Sequence, residues 1–323
     1  MRSLALVSVS LFSLCAIPRC CPAWQDQDDQ TDVATVQPVE TTSLSGQPLR
    51  RRAFSEERLE KLEGDLQAAI EESNSAGRDV HSLIWVARRL GYLWRYQEAI
   101  QTLDVAAANW PDSPHVYRHR GHRFITTRQF DRAVADLQRA ANLIEGTEDE
   151  VEQDGAHNAK SIPTSTLHTN IYYHLGLAHY LRGEYQQALG AYELCLAASK
   201  NNDMKVATLD WMVMTLRRLD RHDDAMKLLE DITADMEIIE NTAYHRRLLM
   251  YKGELSPDDL IPGEDSEDRA LDLATYGYGV GNWYLANGDE AKAREIFEEV
   301  TAGEYWAAFG FIAAEADLIR MGQ

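Results

Sequence analysis

Three histidines have the spacing that could most readily support chemistry. His115, His119 and His122 stand at i, i+4 and i+7, so a helix would project all three from one face. Zinc and other borderline metals accept imidazole ligands at such spacing. The same stretch contains arginines that would crowd the face with positive charge: Arg118, Arg120 and Arg123. Because no carboxylate or thiolate is adjacent in sequence, a metal site is an alternative hypothesis and not the main one.

Other catalytic patterns are absent from the sequence. It contains no nucleophile elbow, P-loop, paired-cysteine metal site or His-Glu-x-x-His motif. The stretch from Gly277 to Gly281 superficially resembles a nucleotide-binding loop, but no predicted strand precedes it, and close helix packing explains its glycines. Cys195 falls at a small-residue position of a helix and is interpreted as a core residue. We therefore predict neither an enzyme nor a cofactor.

The charge of the chain restricts its partners. The sequence has 32 Lys and Arg against 52 Asp and Glu, a formal net charge of −20. Such a chain repels a phosphate backbone, so nucleic acid is excluded as a predicted partner. Its hydrophobic residues, 45% of the total, suffice for a sizeable core.

The elements that must position these residues are helices. From Phe54 onward apolar residues recur at helical spacing and almost none alternate with period two, which predicts an all-α chain. A motif of an aromatic or polar residue followed by x-x-Ala recurs, with its alanines at Ala99, Ala133, Ala188, Ala225 and Ala293. Their separations of 34, 55, 37 and 68 residues indicate a unit of 34 residues. The second interval then contains an insertion and the last a degenerate unit.

Small residues mark the helix crossings. Four of the five alanines follow a small residue by twelve positions: Ala87, Gly121, Gly176 and Gly281. A glycine inside a helix costs about 1 kcal/mol relative to alanine, so its recurrence implies a packing requirement. We predict that each small residue on a first helix faces the alanine on the second.

This combination resembles the tetratricopeptide repeat family. The family's positions are matched in the first unit by Ala87, Tyr96, Ala99, Leu103, Ala106 and Pro111. The pattern recurs in Tyr117 to Ala140 and Tyr172 to Leu196, whereas a fourth unit departs from it with Val213 and His222. The resemblance covers roughly residues 79 to 305. It implies a right-handed α-solenoid that serves as a non-enzymatic scaffold for binding proteins or peptides.

The resemblance also implies a binding face. In the family the first helix of each repeat lines the concave side, and this register places eight side chains there: Arg88, Arg118, His122, Tyr173, Tyr180, Arg217, Tyr278 and Asn282. Arg and Tyr are favoured at interfaces, so the hypothesis is a groove for an acidic or carboxylate-terminated peptide. Two alternatives stay open. These side chains could form an ordinary solvated face, or the chain could be a metal-dependent or enzymatic module that uses His115, His119, His122 and the insertion.

The N-terminal part predicts three segments. Residues 1–23 have the features of a secretory signal peptide of bacterial type, with Arg2, an apolar run from Leu4 to Ile17 and a small residue at Ala23. The residues before its cysteines do not resemble a lipoprotein site. We therefore expect an exported protein, periplasmic or secreted, with no membrane span after cleavage. Residues 24–52 are predicted to be a disordered arm and residues 53–78 an N-terminal capping helix.

Residues 79–323 are the predicted solenoid. It has an insertion at about 144–169, which is either a solvated tether or a loop that folds over the groove. A degenerate repeat is expected at about 240–272, with a helix over Thr242 to Lys252 and a second helix broken by glycine and proline. An apolar helix from Tyr305 to Met321 is expected to cover the open end of the last repeat.

Overall fold

The computed structural model describes residues 36–75, 79–153, 158, 160–261 and 269–322. Contacts divide the chain into residues 1–36 and residues 37–323, and the described helices and strands lie in the second unit. The expected signal peptide, residues 1–23, and residues 24–35 of the expected arm lie outside the described residues.

Helices dominate the described chain, which confirms the all-α prediction. In chain order they are α1 (Glu56–Ser75), α2 (Val80–Tyr92), α3 (Tyr96–Asn109), α4 (Pro114–Thr126), α5 (Phe130–Leu143), α6 (Leu167–Arg182), α7 (Tyr185–Ala198), α8 (Asn202–Arg218), α9 (His222–Leu228), α10 (Thr242–Lys252), α11 (Arg269–Asp272), α12 (Tyr278–Ala286), α13 (Glu290–Ala302) and α14 (Phe309–Met321). A π-helical turn joins α11 to α12. Within the described residues no helix is long and apolar enough to cross a membrane.

The helix pairs α2–α3, α4–α5, α6–α7, α8–α9 and α12–α13 share one turn geometry. In each pair the residue two positions before the second helix has a positive φ: Trp94, Arg128, Gly183, Asp220 and Gly288. The next amide donates to the carbonyl five residues earlier, as Glu184 N does to His179 O at 2.9 Å. This bond belongs to the Schellman motif, which satisfies the carbonyls at a helix end. Each left-handed residue precedes its repeat alanine by five, so the sequence period and the turns describe the same repeat.

The helix crossings correct one detail of the sequence analysis. A Cβ added to each first-helix glycine would lie within 2.6 Å of the side chain sixteen residues later: Gly121 of Leu137, Gly176 of Tyr192 and Gly281 of Phe297. The predicted partner, the alanine twelve residues later, is buried but is not the nearest neighbour. Positions i and i+4 share a helix face, so the bulky residue one turn beyond the alanine reaches the same crossing.

Residues 39–50 form a β-hairpin, so the predicted disordered arm is wrong for this segment. Strands β1 (Val39–Thr42) and β2 (Pro48–Arg50) pair antiparallel. A two-stranded hairpin is marginal alone, and helix contacts hold this one. Gln97 N donates to Glu40 Oε2 at 2.9 Å, and Thr41 Oγ1 donates to Thr127 O at 2.9 Å.

The C-terminal helix α14 packs on the last repeat, as expected, and also reaches an earlier one. It contacts α12 and α13 of the last pair and α6, the first helix of the third pair. Its Asp317 accepts hydrogen bonds from Arg218 Nη2 of α8 at 2.5 Å and from Tyr278 OH at 3.0 Å. Arg320 Nη2 donates to Tyr180 O at 3.3 Å. Charged groups at one end of α14 therefore fix it across this side of the array.

A buried ion pair joins α14 to the turn of the second repeat. Arg128 Nε lies 2.9 Å from Glu315 Oε2, and the two side chains are 4% and 6% exposed. Arg128 Nη2 also donates to Trp306 O at 2.8 Å, and Leu44 N donates to Glu315 Oε1 at 2.8 Å. The hairpin, the second repeat and the C-terminal helix therefore meet at this pair.

The insertion between α5 and α6 packs on the helices in its described part. Val151 forms an antiparallel bridge with Thr166, and Leu167 N donates to Glu150 O at 2.9 Å. Asn201 Nδ2 donates to Thr164 O at 2.8 Å. For the described residues of the insertion, these contacts favour the folded loop over the solvated tether. Residues 154–157 and 159 lie outside the described part.

In its described residues the degenerate repeat has one long helix, α10, and the four-residue α11. Its α10 has the expected bounds, and a three-residue 3-10 turn, Pro257–Asp259, follows Gly253. Asp203 of α8 fixes the loop before α10, because its carboxylate accepts from the backbone amides of residues 239–241 at 2.8–3.1 Å.

Substitution of Gly176 by alanine tests the crossing geometry. Gly176→Ala should lower the free energy of unfolding by about 1–3 kcal/mol, because its Cβ would overlap the Tyr192 ring. Gly190→Ala is the matched control, since no atom lies within 4 Å of a Cβ there and alanine favours a helix by up to about 1 kcal/mol. Urea unfolding of both variants is the measurement. Equal stabilities for the two would show that the crossing does not require glycine.

Substitution of Arg128 tests the closing ion pair. Arg128→Ala should cost about 3–5 kcal/mol, because it leaves the carboxylate of Glu315 buried with its charge partner removed. Arg221→Ala, which removes the exposed pair with Asp224, should have a much smaller effect because solvent screens that pair. The comparison is by urea unfolding at one pH. A small effect of Arg128→Ala would mean that water or another cation satisfies Glu315.

Candidate functional site

A cavity of about 370 Å³ lies between α2, α4 and α6, the first helices of three successive pairs. Polar side chains dominate its lining: Arg88, Tyr92, Arg118, His119, His122, Arg123, Ser165, Asn170 and His174. Three of the eight residues predicted to line the concave face are among them, namely Arg88, Arg118 and His122. The cavity is therefore the part of the predicted groove in which those side chains come together.

Helical spacing and one glycine position the cavity's side chains. On α4 the cavity residues come as two adjacent pairs four positions apart, so they share one face. Asn170 and His174 have the same i, i+4 relation on α6. On α2, a Cβ at Gly91 would lie 2.6 Å from Nη1 of Arg123. The absence of a side chain at Gly91 thus leaves room for that guanidinium.

Glu152 of the insertion supplies a carboxylate at the edge of this cavity. Its Oε1 lies 3.0 Å from Arg118 Nη2 and 3.2 Å from His119 Nε2, and its Oε2 accepts from Asn170 Nδ2 at 3.1 Å. Burial opposes ionisation of Glu152, but the charge of Arg118 and the contact with His119 outweigh it and hold the pKa of Glu152 well below its ordinary value. Glu152 is therefore an ionised counter-ion that the fold brings to α4.

The cavity histidines are neutral. Arg118 Nη1 lies 3.1 Å from His119 Nδ1 and can only donate, so His119 accepts there and donates from Nε2 to Glu152. Burial, followed by the charge of Arg118, lowers the pKa of His119 to about 3 and that of His174 also to about 3. Burial and the charge of Arg123 place the pKa of His122 well below its ordinary value. Three imidazoles thus add hydrogen-bonding groups without adding charge.

Positive charge is in excess around the cavity. Arg88, Arg118 and Arg123 line it, and Glu152 is the carboxylate that pairs with one of them. Among the described residues, no hydrogen bond or ion pair involves the guanidinium of Arg88 or of Arg123. They instead lie over aromatic rings, Arg88 at 4.2 Å from the centroid of Trp85 and Arg123 at 5.4 Å from that of Tyr96. Arg118 Nε is buried, and no residue that the structure describes offers it a hydrogen-bond partner.

The other five predicted binding residues do not form an open surface. Tyr180, Tyr278 and Asn282 are at most 1% exposed, so the expectation that they present side chains to a ligand is wrong. The Tyr180 and Tyr278 hydroxyls are 2.7 Å apart, and Asn282 Nδ2 donates to Tyr180 OH at 3.0 Å. The physical reason is α14, whose Asp317 accepts from Tyr278 OH and completes a buried polar network.

Tyr173 and Arg217 are also committed to contacts within the chain. Trp211 Nε1 donates to Tyr173 OH at 2.7 Å, and the Tyr244 hydroxyl lies 2.9 Å from the same atom. Arg217 lies over the ring of Tyr251 at 5.2 Å, and its Nη1 is buried without a hydrogen-bond partner. Neither residue lines the cavity between α2, α4 and α6.

The three histidines of α4 have separate partners. His115 Nε2 lies 2.8 Å from Glu150 Oε1, His119 contacts Glu152, and the His122 ring packs on His174 with centroids 4.5 Å apart. The insertion thus brings carboxylates that the local sequence lacks. Even so, in the described part of the chain no group of three or more His, Cys, Asp or Glu side chains could hold a metal ion. The geometry gives the metal alternative no support.

Two other sequence features have structural roles. Gly279 approaches Arg247 of α10 and Gly281 approaches Phe297 of α13, as expected for glycines at helix crossings. Cys195 is fully buried, and burial raises the pKa of its thiol to about 12, which keeps it protonated and unreactive.

Several residues of the cavity are not among those expected from the sequence. Arg123 and His174 each stand one helical turn or less from a residue that was identified, so the face of the helix was the available signal. Glu152 had no such signal, because it reaches α4 from the insertion and its pairing depends on the tertiary fold.

The chain is similar to several solved helical-repeat structures at low identity. They include a tetratricopeptide repeat protein from Parabacteroides merdae (14% identity, 80% of this chain and 98% of that chain, TM-score 0.45) and the MamA protein (16% identity, 62% and 89%, TM-score 0.40). A third is YrrB, described as a tetratricopeptide repeat protein with an unusual peptide-binding site (14% identity, 78% and 97%, TM-score 0.39). No protein-family model and no curated protein matches the chain. The repeat architecture of this chain therefore rests on its own turns and crossings.

The neutral cavity histidines predict loss of stability in acid. In the unfolded chain a histidine binds a proton below about pH 6.5, whereas in the folded chain desolvation and the charge of Arg123 keep His122 neutral to far lower pH. The unfolded state then binds more protons, so this part of the stability is complete above about pH 6.5 and is lost as pH falls. Between pH 7.5 and 5.0 the loss is about 2 kcal/mol for one such histidine.

His122→Phe should reduce the acid sensitivity by that amount, because phenylalanine keeps the ring contacts with His174 and Phe309 and cannot titrate. His222→Phe makes the same substitution at an exposed position outside the cavity and is the control. Urea unfolding at both pH values is the measurement. An unchanged difference between pH 7.5 and 5.0 in His122→Phe would contradict the neutral state of His122.

Proposed function

We propose that this protein is a helical-repeat scaffold that binds a partner protein or peptide through an acidic group entering the cavity between α2, α4 and α6. The observation that carries the proposal is the excess of guanidinium groups in that cavity. A charged guanidinium binds carboxylate and phosphate oxygens with charge-assisted hydrogen bonds, which are stronger than neutral ones.

The position of the cavity supports a role in partner binding. It lies on the first helices of three successive pairs, so an extended ligand could contact several repeats at once. Farther along the array α14 packs on α6 and α12, and the first-helix residues Tyr180, Tyr278 and Asn282 are buried. The proposed contact region is therefore the N-terminal part of the array, which is narrower than the face expected from the sequence.

The electrostatics of the rest of the chain support an acidic ligand of defined position. With a net charge of −20 the protein as a whole repels anions. A concentrated positive site within such a chain favours an acidic group at that site and disfavours it elsewhere. This contrast provides specificity: the positive cavity attracts an acidic ligand, and the negative charge of the rest of the chain repels it from other positions.

We also propose that the chain is exported, on the basis of its leader sequence alone. The basic start, the apolar run and the small residue at Ala23 are the features of a signal peptide. The partner is therefore sought in the exported fraction of the source cells.

The test is capture of a partner from that fraction by immobilised protein, identification by mass spectrometry and calorimetry with the purified partner. Arg88→Gln should weaken binding at least tenfold, because a hydrogen bond to a charged group is worth about 1.5–3 kcal/mol. Arg58→Gln makes the same charge change at an exposed position of α1 and should bind like wild type. Equal affinity of Arg88→Gln and wild type would refute binding through the cavity.

A further inference from the structure

The charges around the cavity do not balance. The guanidiniums of Arg88, Arg118 and Arg123 line it, and the one carboxylate that contacts any of them in the described chain is that of Glu152. A guanidinium keeps its proton in proteins at neutral pH, and the cavity histidines are neutral. Among the described residues the site therefore has an excess of two positive charges.

Such an excess is costly because Arg118 is buried and Arg88 and Arg123 are half-buried. Burial lowers the pKa of Arg118, and the charges of Arg88 and Arg123 lower it further, which means that the three cations repel one another. Burial likewise lowers the pKa of Arg123. Its guanidinium lies over the ring of Tyr96, and an anion in contact with it would stabilise its charge more than the ring does. Charges without partners in a protein interior are strongly destabilising unless something neutralises them.

We propose that the cavity binds a doubly charged oxyanion, a phosphate monoester or inorganic phosphate, beside the carboxylate of Glu152. The inference rests on the proposed function only in placing the ligand in the same cavity. Two negative charges on one centre would neutralise the excess, whereas a single carboxylate would leave one guanidinium without a counter-ion.

The geometry provides donors and space for this group. Arg118 already donates from Nη2 to Glu152 and from Nη1 to His119, and its buried Nε–H has no acceptor. The guanidinium nitrogens of Arg88 and Arg123 are likewise uncommitted among the described residues. The cavity volume, about 370 Å³, is within the range of small-ligand pockets, which begin near 300 Å³. A phosphoryl group with a small substituent therefore fits the site in charge and in size.

The probes are inorganic phosphate and sulfate as dianions, with acetate and chloride as monoanions, at pH 8 and constant ionic strength. Phosphate and sulfate also stabilise proteins by exclusion from their surfaces, so calorimetric titration at low anion concentration accompanies thermal unfolding. We expect saturable binding of both dianions, at least tenfold tighter than acetate. Indistinguishable binding of phosphate and acetate would overturn the inference.

Three variants separate this inference from a merely structural role of the arginines. Arg123→Met should raise the melting temperature without anion, because it removes a repelling charge, and should abolish the phosphate response.

Glu152→Gln should lower the melting temperature without anion and bind phosphate about tenfold more tightly, because the excess charge rises. Arg58→Gln should match wild type. Loss of stability in Arg123→Met with unchanged phosphate binding would refute the proposal, and unchanged phosphate affinity in Glu152→Gln would also count against it.

Competition distinguishes the two possible sources of the oxyanion and the two proposals. If phosphate binds and displaces a captured partner, the oxyanion belongs to the partner. If phosphate binds without displacing the partner, a free small molecule is the ligand, and partner binding through this cavity is wrong. If a partner binds through Arg88 while phosphate does not bind, the dianion inference fails and the proposed function stands.

Discussion

The ion pair between Arg128 and Glu315 is the buried contact at which the hairpin, the second repeat and the C-terminal helix meet. Both side chains are buried, so each charge requires the other, and loss of either would leave a costly isolated ion. Arg128 also occupies a left-handed turn, a conformation that costs a residue with a side chain about 1–3 kcal/mol. Its bonds to Glu315 and to the carbonyl of Trp306 offset that strain.

The consequences of this pair extend to both functional and structural regions. With Glu315 fixed, α14 lies against α6 and α12, where Asp317 binds Arg218 and Tyr278. The second half of the first-helix face is then a buried polar network, and the open cavity remains at α2, α4 and α6. The carboxylate of Glu315 also accepts a hydrogen bond from Leu44 N of the hairpin, so the pair contributes to holding the N-terminal segment as well.

Local features of the fold could be predicted from the sequence, and distant ones could not. The repeat register was accessible because each turn and crossing lies within about 34 residues and imposes a residue type, as at Gly176 and Gly183. The crossing partner was displaced by one helical turn, because side-chain volume rather than residue smallness decides which residue fills the space. The hairpin was missed because its strands have three and four residues and are ordered by tertiary contacts. In the site, Arg88, Arg118 and His122 could be predicted because the repeat register places them on the first helices. The position of Glu152 depends on the path of the insertion, and the burial of Tyr180 depends on the path of α14, so neither could be predicted from local sequence.

The contact of the hairpin with the C-terminal helix changes how such an array can unfold. In an open stack each repeat touches only its neighbours, and the end units can detach one at a time. Here Leu44 bonds to Glu315, 271 residues away, so the two ends protect each other. Loss of structure at either end of the array would have to break the contact between the hairpin and α14, and so would expose both ends at once. The chain should therefore unfold as one cooperative block and not lose its end repeats one at a time.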